Sequence, residues 1–265
     1  MRSIKILLAV MLGICLALPV FSQTPDPSAF DRGSFINKND TIPYRILFPK
    51  NFDPKKKYAL LFVLHGAGER GNNNVSQLAY GTPLFLNDTI RAKYPAIVIF
   101  PQCPANSFWS NVKIGKDAAG KITWTFIEGG DPTVAMKGLL GLVTQMLDKP
   151  YVDKHHMYIG GLSMGGMGTF EILRRKPELF AAAFTICGGD NTLNAKIYAK
   201  KVPLWIFHGA KDSVVPFDHS QVMVNAIKAA GGDPKFTVYP NDDHNSWNDA
   251  FAEPDLIPWL FAHKK

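Results

Sequence analysis

The stretch Tyr158-Ile159-Gly160-Gly161-Leu162-Ser163-Met164-Gly165-Gly166 decides how the rest of the chain is interpreted. An apolar run leads into it, and a helical pattern that we expect to open at Met167 or Gly168 continues towards Lys176. Glycine stands two residues before and two residues after Ser163, where a tight strand-to-helix turn leaves almost no room for side chains. The stretch therefore predicts a nucleophile elbow, and a plain glycine-serine turn is the alternative.

Apolar runs and helical patterns alternate on both sides of this elbow. Continuous apolar runs are typical of strands that are covered on both faces, as in a parallel sheet. The run at 58–64 is of this kind, and further strands are predicted at 96–100, 156–160, 180–186, 202–207 and 235–239, after a strand pair within 35–49. Helices are predicted at 77–86, 134–147, 220–230 and 251–263. The alternation predicts an α/β fold, a doubly wound and mainly parallel sheet with helices on both faces.

The first 22 residues have the pattern of a signal peptide. Arg2 and Lys5 precede an apolar run over 6–20, and small or tolerated residues then lead to Gln23, where we expect cleavage. The expected organisation is a signal peptide at 1–22 and one catalytic domain at 23–265. This organisation predicts an exported protein, periplasmic or secreted, with no stable membrane span once the signal is removed.

Two alternatives to cleavage are open for this leader. One is an uncleaved membrane anchor, although the apolar run is short for a bilayer span. The other is a lipid anchor on Cys15, which the bulky Ile14 just before it disfavours.

Composition excludes several classes of function. With 46% hydrophobic and 19% charged residues the chain suits one globular domain with a large core. The formal net charge of +7 is carried by scattered lysines without a basic, aromatic-rich helix, so we expect no nucleic-acid partner. Export would permit Cys103 and Cys187 to form a disulfide, but if their strands are separated in the sheet the sulfurs are too far apart, so free, buried thiols are expected. No Cys/His cluster has metal-ligand spacing, so no metal or other cofactor is expected.

Two loops at predicted strand ends carry candidate partners for the serine. A serine hydroxyl needs a base to take its proton and a carboxylate to orient that base. Asp212 follows the strand ending at Phe207, and His244 follows the last strand. Ligand chemistry in open α/β sheets lies at the carboxyl ends of the strands. Asp212 and His244 are therefore the predicted acid and base.

Other residues compete for these two roles. Asp190 and Asp218 also lie near strand ends, but neither has the spacing from an apolar run that Asp212 has. His65 and His208 each precede a glycine at a strand end, where we expect them to brace loops through hydrogen bonds, and His219 begins a helix.

Two further segments complete the sequence pattern. The glycine-rich loop 65–71 ends a buried strand, and its free backbone amides are candidate donors to an oxyanion, with a plain turn as the alternative. The aromatic segment 105–131 is expected to leave the sheet as a hairpin at the rim of the site.

Together these motifs resemble the esterase branch of the α/β hydrolases. The resemblance rests on five motifs in the order His65–Gly71, Pro101–Pro104, Gly161–Gly166, His208–Asp212 and His244–Trp247. The chain order Ser, Asp, His is that of this fold. The branch includes carboxylesterase and phospholipase-like enzymes, polyhydroxybutyrate-depolymerase-like esterases, feruloyl or acetylxylan esterases, and members described only as predicted peptidases.

The resemblance implies a serine esterase mechanism and places its parts. Ser163 would attack an ester carbonyl, His244 would carry the proton, and Asp212 would hold the imidazole. The backbone N–H groups of Ala67 and Met164 would bind the oxyanion. Substrate contacts are expected from side chains around this centre: Arg70, Trp109, Glu128 and Trp247.

The expected substrate is a small-molecule ester or an ester carried on polysaccharide, with acyl or feruloyl groups. A serine peptidase is the second hypothesis, since the same fold and triad serve amide hydrolysis. A non-catalytic binding protein that keeps the fold is the third. The sequence leaves the oligomeric state open.

Overall fold

The computed structural model describes residues 27–37, 40–120 and 122–265. The expected signal peptide, its cleavage point and Cys15 lie outside these residues. Strands occupy β1 (Asp31–Asn37), β2 (Asp40–Leu47), β3 (Tyr58–Leu64), β4 (Ala96–Pro101), β5 (Val112–Lys116), β6 (Ile122–Phe126), β7 (Val152–Leu162), β8 (Ala182–Ile186), β9 (Leu204–Gly209) and β10 (Lys235–Tyr239). Helices occupy α1 (Thr82–Leu86), α2 (Asp88–Lys93), α3 (Val134–Leu147), α4 (Met164–Arg175), α5 (Ala195–Tyr198), α6 (Asp218–Ala229), α7 (Trp247–Ala252) and α8 (Leu256–Phe261).

Eight of the described strands form one sheet in the order β1-β2-β4-β3-β7-β8-β9-β10. The pairs β1–β2 and β2–β4 are antiparallel, and every pair from β4 to β10 is parallel. The carboxyl ends of β3, β7, β8, β9 and β10 therefore meet along one edge of the sheet. The predicted α/β-hydrolase sheet is confirmed.

Apolar cores cover both faces of the sheet. One cluster joins it to α3, α4 and α6 through residues such as Leu139, Phe170 and Met223. The other joins it to α1, α7 and α8 through residues such as Phe85, Phe251 and Leu260. β3 and β8 are buried along their whole length, because their continuous apolar sequences meet helices on both sides.

Several strands and helices begin or end at residues other than those predicted. The strand pair expected within 35–49 is the β1–β2 hairpin, which already starts at Asp31. The helix expected at 77–86 is a 3-10 turn, Ser76–Leu78, followed by the short α1. The carboxy-terminal helix is broken into α7 and α8, because Pro254 interrupts it. Among the described residues, no helix combines the length and apolarity that crossing a bilayer requires.

The segment 105–131 leaves the main sheet, as the sequence predicts. β5 and β6 pair with each other as an antiparallel hairpin and with no other described strand. In this register Ile114 lies opposite Trp124 and Val112 opposite Phe126, so one face of the hairpin is apolar.

Candidate active site

Ser163 occupies the turn between β7 and α4 in a conformation that side chains rarely adopt. Its φ is 52° and its ψ is −118°. The turn is closed by backbone, since the Ser163 amide donates to the Ile186 carbonyl at 2.8 Å. A Cβ at Gly161 would lie 2.6 Å from the carbonyl oxygens of Leu64 and Gly165, and one at Gly165 would overlap the Leu64 carbonyl. Both glycines are therefore required by close backbone approach, as the elbow motif predicts.

The helix after the serine begins earlier than the sequence predicts. The expected start at Met167 or Gly168 is wrong, because α4 opens at Met164, directly after Ser163. Gly165 and Gly166 suggest a longer turn, but they are glycine because the helix packs against the ends of β3 and β8 without space for a Cβ. Ser163 thus lies at the amino-terminal end of a three-turn helix, whose dipole favours negative charge there.

A hydrogen-bonded chain runs from the serine through a histidine to an aspartate. Ser163 Oγ lies 3.0 Å from His244 Nε2, and His244 Nδ1 lies 2.8 Å from Asp212 Oδ2. The side chain of Asp212 is fully buried, whereas 17% of the His244 side chain is exposed. The three predicted triad residues come from the ends of β7, β9 and β10, and the sheet edge brings them together.

The Asp212 carboxylate is held ionised by several donors. Its Oδ1 accepts from the amides of Val214 at 2.9 Å and Val215 at 2.8 Å, and its Oδ2 also lies 3.3 Å from His208 Nε2. Burial opposes ionisation, but the hydrogen bonds from His208, His244 and Val215 outweigh it and hold the pKa of Asp212 well below its usual range. A permanent negative charge therefore faces His244 Nδ1.

A second aspartate ties the base loop to the acid loop. Asp243 Oδ1 accepts from the His244 amide at 2.7 Å and from the Ser213 amide at 2.7 Å, and the Ser213 hydroxyl donates to the same carboxylate. These hydrogen bonds lower the pKa of Asp243. Asp243 thus links Ser213, which follows Asp212, to the backbone of His244 through hydrogen bonds that do not involve the triad side chains.

The glycine-rich loop after β3 is braced by the buried His65. The Cys103 amide donates to His65 Nε2 at 2.9 Å, so the ring proton lies on Nδ1, which donates to the Gly66 carbonyl at 2.6 Å. Burial, with a smaller contribution from Arg70, lowers the pKa of His65 to about 4, which keeps the ring neutral at physiological pH. The predicted bracing role of His65 is confirmed.

The two predicted oxyanion donors both begin a helical segment. Met164 is the first residue of α4, and Ala67 is the first residue of the 3-10 turn Ala67–Glu69. Amides in the first turn of a helix have no acceptor within the helix. Both N–H groups are therefore candidate donors to a ligand bound beside Ser163.

Of the four expected substrate contacts, Arg70 and Trp109 are engaged in packing. Arg70 donates to the carbonyls of Ala67, Ala105 and Ser107 at 3.0 to 3.3 Å, and its guanidinium lies over the Phe108 ring. Trp109 is fully buried, packs edge-on against His65, and has no surface for a substrate. The expectation that Trp109 contacts substrate does not fit its burial, and the ring instead packs against His65 at the start of the glycine-rich loop.

Glu128 and Trp247 lie at the surface near the site. The Glu128 side chain is 53% exposed at the end of the β5–β6 hairpin and lies 4.0 Å from Lys196. The Trp247 ring meets His244 edge-on, with centroids 5.2 Å apart. Trp247 is thus beside the candidate base, whereas the recorded neighbour of the exposed Glu128 is Lys196.

The hairpin is fastened to the loops that carry the acid. The Trp124 indole donates to the Val214 carbonyl at 3.2 Å, and the Phe126 ring packs edge-on against His219. Asn191 donates to the Phe126 carbonyl at 3.0 Å. Asp190 in turn holds this asparagine loop, and burial raises the pKa of Asp190 to about 7.

A thiol lies directly beneath the triad. Cys187 Sγ, the Asp212 carboxylate and a His244 ring nitrogen all lie within 4.8 Å of one another. Burial and the neighbouring Asp212 charge raise the pKa of the Cys187 thiol above its usual range, so the thiol is neutral at physiological pH. The group therefore fits a triad with a neutral thiol beneath it. Cys103 is likewise buried, and neither cysteine is paired.

Two contacts of the site were not anticipated from sequence. His208 was expected to brace a loop, and it does so through Ser220 and Val215, but it also touches Asp212. His208 and Asp212 are four residues apart across the end of β9, and this spacing could have indicated their contact from the sequence. Tyr80, whose ring lies 5.0 Å from that of Trp247, belongs to a segment without any recognisable motif.

The fold and this arrangement of residues define an α/β hydrolase. The profile of the phospholipase/carboxylesterase family matches residues 52–254, and the chain belongs to that family.

Known proteins similar to this chain include enzymes of two kinds. An endo-1,4-beta-xylanase/feruloyl esterase of Xylanibacter ruminicola is 30% identical over 67% of this chain and 23% of its own length. A putative dipeptidyl aminopeptidase of Schizosaccharomyces pombe is 29% identical over 84% of this chain and 27% of its own length. The crystal structure of a thermostable esterase, 32% identical, superimposes with a TM-score of 0.79 over 90% of this chain and 64% of that one. The chain spans about a quarter of the length of the two curated relatives.

Proposed function

We propose that this protein is an exported serine esterase that cleaves carboxylic esters through an acyl-enzyme intermediate. The observation that carries the proposal is the unbroken chain of hydrogen bonds from Ser163 Oγ through His244 to Asp212, at 3.0 and 2.8 Å. Ser163 lies in a turn with a positive φ, and backbone atoms leave no room for a side chain at the flanking Gly161 and Gly165. A serine without a base and an orienting carboxylate is a poor nucleophile, and this serine has both.

The reaction proceeds in two halves. Ser163 Oγ attacks the ester carbonyl carbon while His244 Nε2 takes the hydroxyl proton, and the amides of Ala67 and Met164 bind the resulting oxyanion. The bond to the leaving oxygen then breaks, and the imidazolium gives its proton to the departing alcohol. Water activated by His244 attacks the acyl-enzyme, and the acid leaves with Ser163 regenerated. Asp212, which stays ionised, stabilises the imidazolium in both halves.

An aromatic or apolar acyl group, of the feruloyl type, is the substrate class that the hairpin favours. Its apolar face continues past Trp124 to Ile114, which is 45% exposed, and Val214 on the acid loop is 40% exposed. Exposed apolar side chains beside a catalytic centre form a natural wall for an apolar group. The feruloyl esterase of Xylanibacter ruminicola gives independent support for esters of this type carried on plant polysaccharide.

The leader sequence supports export, to the periplasm or the medium, where polysaccharide-linked esters are accessible. The basic and apolar pattern of residues 1–22 is the basis for this part of the proposal. Detection of a mature chain that begins at Gln23 in the exported fraction tests it, and a full-length chain retained in the cell contradicts it.

A panel of acetyl, feruloyl and longer acyl esters, assayed beside aminoacyl and dipeptidyl amides, tests the function. We expect ester hydrolysis by the wild type and its loss in Ser163→Ala, with an unchanged circular dichroism spectrum. The similarity to the yeast aminopeptidase makes peptide hydrolysis the second candidate. Amide turnover that exceeds ester turnover would establish that candidate instead.

A further inference from the structure

A cleft of about 320 Å³ lies beside the candidate base, between the segment 79–84 and α7. Tyr80 and Trp247 lie next to each other in its lining, and Asn248 is also part of the lining. No residue of the triad or of the β5–β6 hairpin is among the residues that line this cleft. Its volume is at the lower end of the range of small-molecule sites in proteins.

The cleft is built by a close approach of the two segments. Gly81 has a φ of +80°, and a Cβ there would lie 2.8 Å from the Phe251 ring. The chain before α1 therefore packs directly onto α7, with Phe251 as the floor. This packing holds Tyr80 and Trp247 side by side, with ring centroids 5.0 Å apart and planes inclined at 51°. Both rings remain partly exposed.

The proposed reaction determines which part of the ester would face the cleft. In the first half-reaction His244 Nε2 must deliver its proton to the leaving oxygen, which therefore lies within about 3 Å of that nitrogen. Whatever the oxygen carries must extend through the space around His244. Trp247 borders that space, because its ring meets the imidazole edge-on at 5.2 Å. Trp247 is therefore shared by the surroundings of the imidazole and by the lining of the cleft, on the side of the centre where the alcohol part of the ester would leave.

The lining of the cleft indicates the kind of alcohol. Aromatic faces carry negative partial charge and attract the weakly positive C–H groups of a saturated ring. The Asn248 side chain is exposed and provides both an amide donor and a carbonyl acceptor for hydroxyl groups. The remaining side chains of the lining, such as Leu84 and Phe251, are apolar and uncharged. Aromatic faces with a neutral hydrogen-bonding edge match a sugar ring, which has C–H groups on its faces and hydroxyl groups on its rim.

We propose that this cleft is the leaving-group subsite, in which a sugar ring of the ester stacks on Tyr80 and Trp247. The proposal rests on the proposed esterase function and assigns its alcohol side, as the hairpin face supplies the acyl side. Tyr80 is a specificity-determining residue on this account, because it would touch the sugar and lies against Trp247 rather than in the triad.

Paired substrates test the subsite. The acyl group that the ester panel favours is carried once on methanol, which is too small to reach the cleft, and once on a xylopyranoside. In Tyr80→Ala the ratio of kcat/KM for the sugar ester to that for the methyl ester should fall about tenfold. Tyr80→Phe keeps the ring and should keep the ratio. Ile36→Ala, at a residue 70% exposed on β1, controls for loss of an exposed apolar side chain and should leave the ratio unchanged.

An unchanged ratio in Tyr80→Ala would overturn the proposal. This holds also where both esters lose kcat/KM by the same factor, because such a loss would mean that Tyr80 acts only by supporting His244 through Trp247.

A binding measurement separates this proposal from the esterase function itself. Saturation-transfer NMR of methyl xyloside with Ser163→Ala requires no turnover. We expect a signal that disappears when Tyr80→Ala is added. Binding without ester hydrolysis by the wild type would refute the esterase function while retaining the sugar site. Absence of binding, or a stronger signal from phenol than from the xyloside, would overturn the sugar site.

Discussion

Substitution of Gly161 by alanine tests whether the elbow owes its shape to backbone contact. The new Cβ would lie 2.6 Å from two carbonyl oxygens, those of Leu64 and Gly165. That is roughly 0.8 Å short of ordinary van der Waals contact. Both obstacles are backbone, one at the end of β3 and one in the first turn of α4, so neither can rotate away. The turn must widen to accept the methyl group.

The structure sets the size of the expected effect. Overpacking that forces backbone to move costs about 1–3 kcal/mol or more, which corresponds to a fall in Tm of several degrees for a chain of this size. Displacement of Ser163 from His244 by a similar distance should lower kcat/KM about a hundredfold. Thermal unfolding and hydrolysis of p-nitrophenyl acetate measure the two effects.

Gly68 provides the matched control within the adjacent loop. A Cβ built there meets nothing within 4 Å, so Gly68→Ala should keep or slightly raise Tm. Equal Tm values for Gly161→Ala and the wild type would refute the explanation of the elbow by backbone contact.

Three further changes probe the surroundings of the triad. His208→Gln weakens a donor to Asp212 and should lower kcat about tenfold with KM unchanged; wild-type kcat would refute this role. Trp124→Ala should raise KM for a feruloyl ester about tenfold relative to an acetyl ester, with Trp124→Phe intermediate; equal changes in KM would contradict an acyl-binding hairpin. Because burial raises the pKa of Asp190 to about 7, the folded state holds a proton that the unfolded state releases, and stability falls as pH rises from about 4 to about 7. In Asp190→Asn, Tm should no longer decline in this way between pH 4 and pH 8. A Tm curve parallel to that of the wild type would contradict this prediction.

The sheet and the loops that carry the triad residues could be predicted from the sequence, because both depend on local sequence patterns. Continuous apolar runs marked the buried strands, and the chemistry-bearing residues followed them directly. In a parallel sheet these ends share an edge, so Ser163, Asp212 and His244 are brought together by topology alone.

What the sequence did not predict depends on which surfaces meet in three dimensions. Trp109 follows an active-site loop, but only tertiary packing decides that its ring lies beneath the loop, against His65. The start of α4 was misplaced because glycines that permit close packing look in sequence like glycines that permit a turn. Tyr80 has no local signal, because its position beside Trp247 results from the packing of Gly81 on Phe251.

Labelling with a fluorophosphonate probe tests the central claim, that Ser163 is a nucleophile activated by His244. We expect one adduct per chain, mapped by peptide mass spectrometry to Ser163, absent in Ser163→Ala and strongly slowed in His244→Ala. An unlabelled wild-type protein, or an adduct on any other residue, would contradict the claim and favour a binding protein that retains the hydrolase fold.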